Sequence, residues 1–138
     1  MSEQHHVRLI QEFYAAFRRK DTFGVMNTLA DDVGWFMPGR NDINHFVRQH
    51  HGPEQVTRFI ARLTETEDAD EFEPREFIAQ GGRVVALGHF RWREKPTGQS
   101  YASDLVHVFT VHDGQVSNFR EYLDTHAWAA AFRSAQSA

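Results

Sequence analysis

The sequence predicts an α+β fold in which helices segregate onto one face of a curved, mainly antiparallel sheet. Three observations carry this. Apolar residues recur at helical spacing in three stretches of the first half, and the pattern turns strand-like from Phe72 onward. Three turn signals, Gly81-Gly82, Pro96-Thr97-Gly98 and Asp113-Gly114, then divide the second half into four strands. Strands joined by such short turns pair as an antiparallel meander.

Residues 4–19 place Val7, Ile10, Phe13, Tyr14 and Phe17 on one helical face, and Arg18, Arg19 and Lys20 suit the negative end of that helix's dipole. Asp21 or Thr22 is expected to cap a second short helix, with Phe23, Met26, Leu29 and Ala30 on one side. Asp31, Asp32 and Gly34 break its period. Trp35, Phe36 and Met37 read as a strand that stops at the Pro38-Gly39 turn, and residues 40–52 form a lid or a long polar connection. Gly52-Pro53-Glu54 opens a third helix, since proline suits a first turn, and Val56, Phe59, Ile60 and Leu63 form its buried stripe. Residues 65–71 read as a solvated acidic connector. The four strands follow at 72–80, 83–94, 99–112 and 115–124, and Trp128 and Phe132 mark a short C-terminal helix over 127–135.

At 138 residues the chain suits one domain, spanning residues 1–138. Fifteen Lys and Arg against nineteen Asp and Glu give a net charge of −4, which leaves no positive field to gather phosphates and argues against nucleic-acid binding. No apolar run approaches the roughly 18 residues of a membrane helix, and the start lacks a secretory signal, so no membrane partner and a cytoplasmic location are expected. The absence of Cys removes disulfides, thiolate metal sites and thiol nucleophiles. His45, His50 and His51 resemble a metal cluster only superficially, because adjacent histidines in a connection seldom ligate one ion, and no metal or other cofactor is expected.

Side chains alternate between the two faces of a strand, so parity tells which polar groups the helices enclose. In the strand ending at His112, Ser103, Leu105, His107 and Phe109 share a face. In the last strand Phe119, Glu121 and Leu123 do the same, which brings Glu121 and His107 to one enclosed surface. A carboxylate between Phe and Leu loses hydration and moves toward the range of a proton shuttle, while a neighbouring imidazole serves as donor, acid or orienter. The alternative is that the two bond to each other, or to Tyr14 and an Arg, and only satisfy a polar core. Tyr14, on the first helix's apolar stripe, is either an inward hydroxyl or a core aromatic with a wetted tip. Trp35 and Trp92 line a cavity for a flat apolar ligand or are plain core. The opposite parity, including Val106 and Val108, makes the sheet's outer face greasy, and a homodimer is the economical cover for it.

Leu29-Ala30-Asp31-Asp32-Val33 after a second helix, the helix over 52–63, and Asp113-Gly114-Gln115-Val116 followed by Phe119-Arg120-Glu121-Tyr122-Leu123-Asp124 resemble the SnoaL-like branch of the nuclear transport factor 2-like superfamily. The resemblance covers roughly residues 5–130 and is specific for fold rather than reaction. It implies a cone-shaped α+β barrel of three N-terminal helices on a strongly bent sheet, an apolar pocket for a small hydrophobic ligand, and a homodimer through the outer sheet face. The pocket would be lined by Trp35, Met37, Phe59, Phe90, Trp92, Ser103, Leu105, Phe119 and Leu123, with Glu121, His107 and Tyr14 as acid-base candidates. The Asp-Arg-Asp set of the limonene-epoxide hydrolases would fall on Gly88, Phe90 and Glu121, so only Glu121 remains acidic. The base of the ketosteroid isomerases would fall near Met37 and their protonated Asp near His107. Isomerase, cyclase, dehydratase or hydrolase chemistry on a hydrophobic or polycyclic substrate is the expectation, against a non-catalytic ligand-binding or dimerisation module.

Overall fold

The computed structural model describes residues 2–37 and 49–124. Helix α1 (Glu3–Arg18) starts where the Ser2 hydroxyl accepts a hydrogen bond from the His5 N–H, and it buries Ile10, Phe13, Tyr14 and Ala16. Asp21 caps α2 (Thr22–Thr28) by accepting from the Gly24 N–H at 2.9 Å. Strand β1 (Leu29–Phe36) follows directly, then β2 (Gln49–His51), α3 (Gly52–Thr66), β3 (Glu67–Gln80), β4 (Arg83–Glu94), β5 (Ser100–His112) and β6 (Gln115–Tyr122). Pro53 occupies the first turn of α3.

All six strands join one sheet in the order β2-β1-β6-β5-β4-β3. It is mixed rather than wholly antiparallel, because β1 runs parallel to β6, with Trp35 beside Phe119. The meander from β3 to β6 is antiparallel throughout. At the last hairpin Asp113 and Gly114 both take positive φ, 50° and 77°, as a two-residue turn matched to strand twist requires.

Four features differ from the sequence reading. The helices are not all N-terminal to the sheet, since α3 follows β1 and β2. Leu29 and Ala30 open β1 instead of closing α2: Leu29 pairs with Val116, and a register shift before Gly34 gives an irregular burial pattern that mimics helical spacing. Inside the expected polar connection, Gln49–His51 form a short edge strand against β1. The acidic stretch 65–71 is not a connector either, for α3 runs to Thr66 and β3 begins at Glu67. Strand β3 tolerates its charges and Pro74 because it is the other edge of the sheet. Bulges at Ala69/Glu71 and Pro74/Glu76 reset its register, and Arg93 pairs with Asp68 and Asp70. The bulge near Pro74 lies so close over β4 that a Cβ at Gly88 would strike the Glu73 carbonyl. The expected C-terminal helix over 127–135 and His45 lie outside the described residues.

The core forms between the helices and one face of the curled sheet. Phe13, Val33, Val56, Val84, Phe109 and Phe119 are buried in one cluster, and Phe90, Trp92 and Leu105 form a second. Phe17 and Phe72 pack against both. Parity holds along β5, where Leu105, His107, Phe109 and Val111 are buried and Asp104 and His112 are exposed.

Candidate functional site

Three polar side chains meet inside this aromatic core. Strands β5 and β6 are paired with His107 directly opposite Glu121, and His107 Nε2 lies 2.7 Å from Glu121 Oε2. From α1, Tyr14 Oη lies 2.7 Å from His107 Nδ1. The side chains of His107 and Glu121 are only 5% and 9% exposed. Burial, with the Glu121 charge adding to it, pushes the Tyr14 hydroxyl well above the ordinary phenol range, so it keeps its proton, and with Nε2–H turned to the carboxylate acceptor Nδ1 is left to accept from it. The imidazole proton then sits on Nε2 and is donated to the carboxylate. The order is Tyr14 O–H to His107, and His107 N–H to Glu121.

Rings hold this chain on every side. Tyr14 stacks on the imidazole at 5.9 Å between centroids, Phe119 meets it edge-on at 4.8 Å, and Phe72 and Phe109 flank both. Trp35 stacks on Phe119 at 3.8 Å, and its indole N–H is buried without a hydrogen-bond partner among the described residues. A buried donor left unpaired costs about 1–3 kcal/mol, which a ligand acceptor would recover.

The residues expected to line a pocket separate into groups. Trp35, Phe119 and the half-buried Met37 belong to the cluster around Tyr14, whereas Phe90, Trp92, Leu105 and the half-buried Leu123 belong to the second. Phe59 is buried and stacks on His50. Ser103 accepts the Asp124 N–H and donates to the Asp104 carbonyl. Among the described residues no group of three or more His, Asp or Glu is placed to hold a metal, and no helix is long and apolar enough to cross a membrane.

A cavity of about 670 Å³ opens where the C-terminal ends of α1 and α3 meet β3 and β4. Phe17, Phe72 and Trp92 form its apolar wall, and Glu67 lies in its lining. Of the expected pocket residues only Trp92 is in that lining, and Phe72, which also touches Tyr14 and His107, stands between the cavity and the buried chain. Glu67 escaped the sequence reading because an acidic run looks solvated. It is 3% exposed, receives the Tyr101 hydroxyl on Oε1 at 2.7 Å and sits opposite Glu94 in the β3–β4 register. The one available signal was its position at the point where the helical period ends.

The SnoaL-like domain family matches residues 10–119. Among solved structures, an NTF2-like protein from Burkholderia xenovorans LB400 is 33% identical over 96% of this chain and 98% of its own, with a TM-score of 0.87. An NTF2-like protein of unknown function from Burkholderia pseudomallei K96243 is 30% identical over the same shares, 96% and 98%, with a TM-score of 0.81. TerC, co-crystallised with polyporic acid, is 26% identical over 94% of this chain and 98% of its own, with a TM-score of 0.79. No curated protein matches. With four-fifths of its length inside the matched segment and its elements in the same arrangement, the chain belongs to the SnoaL-like domain family of the NTF2-like superfamily.

Proposed function

We propose that this protein binds a small hydrophobic or polycyclic molecule and moves a proton on it, with Glu121 as general base. The observation that carries the reading is the buried chain Tyr14–His107–Glu121, closed by two 2.7 Å contacts. A carboxylate so held cannot rotate, and it works where no water competes for the proton it takes. In this scheme Glu121 removes an acidic C–H proton, the electron pair moves onto the adjacent carbonyl oxygen, and an enolate forms. His107 and Tyr14 act through Glu121 as positioning residues, because their polar atoms already serve each other. The unpartnered Trp35 N–H is the donor on that side of the core left to meet the oxyanion. Isomerisation, cyclisation and dehydration all begin with such a step. That TerC was crystallised with polyporic acid supports a small organic ligand for the family.

Deuterium exchange tests this. Wild-type protein in D2O with fused-ring ketones, 2-tetralone among them, is expected to accelerate loss of the α-proton signal over buffer by NMR. Ketones that bind by thermal shift yet exchange at the buffer rate would instead favour a non-catalytic binding module. That second reading has an observation of its own, since both ring nitrogens of His107 are occupied internally.

We further propose a homodimer through the outer sheet face. The strand registers set Ile78 beside Val85 and Val85 beside Val108, and Leu87 beside Val106 and Val106 beside Tyr122. The result is an apolar band across four strands, with Ile78 56% and Tyr122 49% exposed. Val108→Lys is expected to convert a dimer to a monomer in sedimentation velocity, and a monomeric wild type would remove the idea.

A further inference from the structure

We propose that the cavity at the helix ends is a ligand site of its own, in which Glu67, positioned by Tyr101, donates a hydrogen bond as the neutral acid to the carbonyl oxygen of an uncharged aromatic molecule. This goes beyond the chemistry assigned to Glu121, for the cavity lining includes neither Glu121, His107 nor Tyr14.

Three features of the cavity select the ligand class. Its volume, about 670 Å³, lies within the range of small-molecule sites. Its wall is a triangle of touching rings, with Phe17 stacked on Phe72 at 5.4 Å and Trp92 meeting them at 6.5 and 6.0 Å, which offers flat apolar area. The third feature is Glu67 itself, which lies in the cavity lining and whose Oε1 takes the Tyr101 hydroxyl.

Burial above all favours the protonated form of Glu67. Burial raises its carboxyl most, the Tyr101 hydrogen bond pulls it down, the charges of Glu94 and Glu121 raise it, and together they bring it to about 7. Glu94 faces it across the β3–β4 pair with one oxygen buried and unbonded among the described residues. The nearby cations do not neutralise it. Arg93 is taken by Asp68 and Asp70, Lys95 by the Thr64 carbonyl and Asp68, and Arg18 donates to the Phe72 carbonyl. Lys20, Asp68, Asp70 and Glu71 complete the charged rim, where opposite signs offset one another and favour neither a cationic nor an anionic guest. An acceptor oxygen suits a site with a carboxylic acid in its lining.

Benzophenone and diphenylmethane, matched in shape and differing by the oxygen, are the probes; benzophenone has no α-proton, so Glu121 has nothing to remove. Titrations followed by NMR at the Trp92 indole are expected to show benzophenone binding about tenfold more tightly than diphenylmethane at pH 5.5, with the preference lost by pH 8.5. Glu67→Gln, which carries an N–H donor at every pH, should keep the preference at both. Tyr101→Phe removes the bond that favours the ionised form and should move the loss to higher pH. Glu121→Gln should leave the preference at pH 5.5 in place, so failure of the exchange reaction and failure of this site are told apart. A ligand-free readout runs beside these. With the folded carboxyl above its ordinary value of 4.5, native-state stability present below that pH is lost as pH rises through about 7, and Glu67→Gln should remove that fall in Tm. A benzophenone preference that ignores pH in the wild type, titrates equally in Glu67→Gln, or never perturbs Trp92 would overturn the proposal.

Discussion

Glu121→Gln is expected to slow deuterium exchange into a bound fused-ring ketone by about 10²–10⁴-fold, the span that a positioned general base contributes. The substitution preserves volume, and the amide oxygen still accepts from His107 Nε2–H, so the chain from Tyr14 remains closed. What disappears is the capacity to take a proton. Binding of the same ketone, followed by thermal shift, should therefore change by less than about threefold, because the ring contacts are untouched. Undiminished exchange in this variant would remove Glu121 from the reaction and leave the chain as a structural network.

The second large effect concerns stability. His107→Leu keeps an apolar side chain of similar bulk in the cage of Tyr14, Phe72, Phe109 and Phe119, yet it strands a carboxylate and a hydroxyl that both lose their partner. Leaving a buried carboxylate without its hydrogen-bond donor costs about 1–3 kcal/mol or more. Urea unfolding at pH 7.5 should show a loss of that size. Adding Glu121→Leu should restore much of it, because the uncompensated charge is then gone and the two changes are not additive. A single-variant loss below about 1 kcal/mol would mean that the imidazole does not hold the carboxylate.

Legibility of the site followed the reach of each interaction. Period-two alternation is local, so Leu105, His107 and Phe109 could be assigned to one face of β5, and Phe119 and Glu121 to one face of β6, without any knowledge of the partner strands. The stripe of α1 likewise turned Tyr14 inward with Ile10 and Phe13. Glu67 was illegible because its environment is made by residues far along the chain: Tyr101 from β5, Glu94 from β4 and the ends of two helices. Nothing in the run of acids around it distinguishes the one that is enclosed. Strand β2 was hidden for a similar reason, since three polar residues become a strand only through pairing with β1.

By itself the sequence determined the helix-and-meander architecture, the enclosed faces of the strands and the three polar residues of the core, because periodicity, caps and turn chemistry act within a few residues. Tertiary structure alone decided that β1 lies parallel to β6, that His107 spends both nitrogens on Tyr14 and Glu121, and that the cavity opens beside Glu67. Those outcomes depend on register and on the docking of helix ends over a curled sheet, where a shift of one residue turns every side chain to the opposite face.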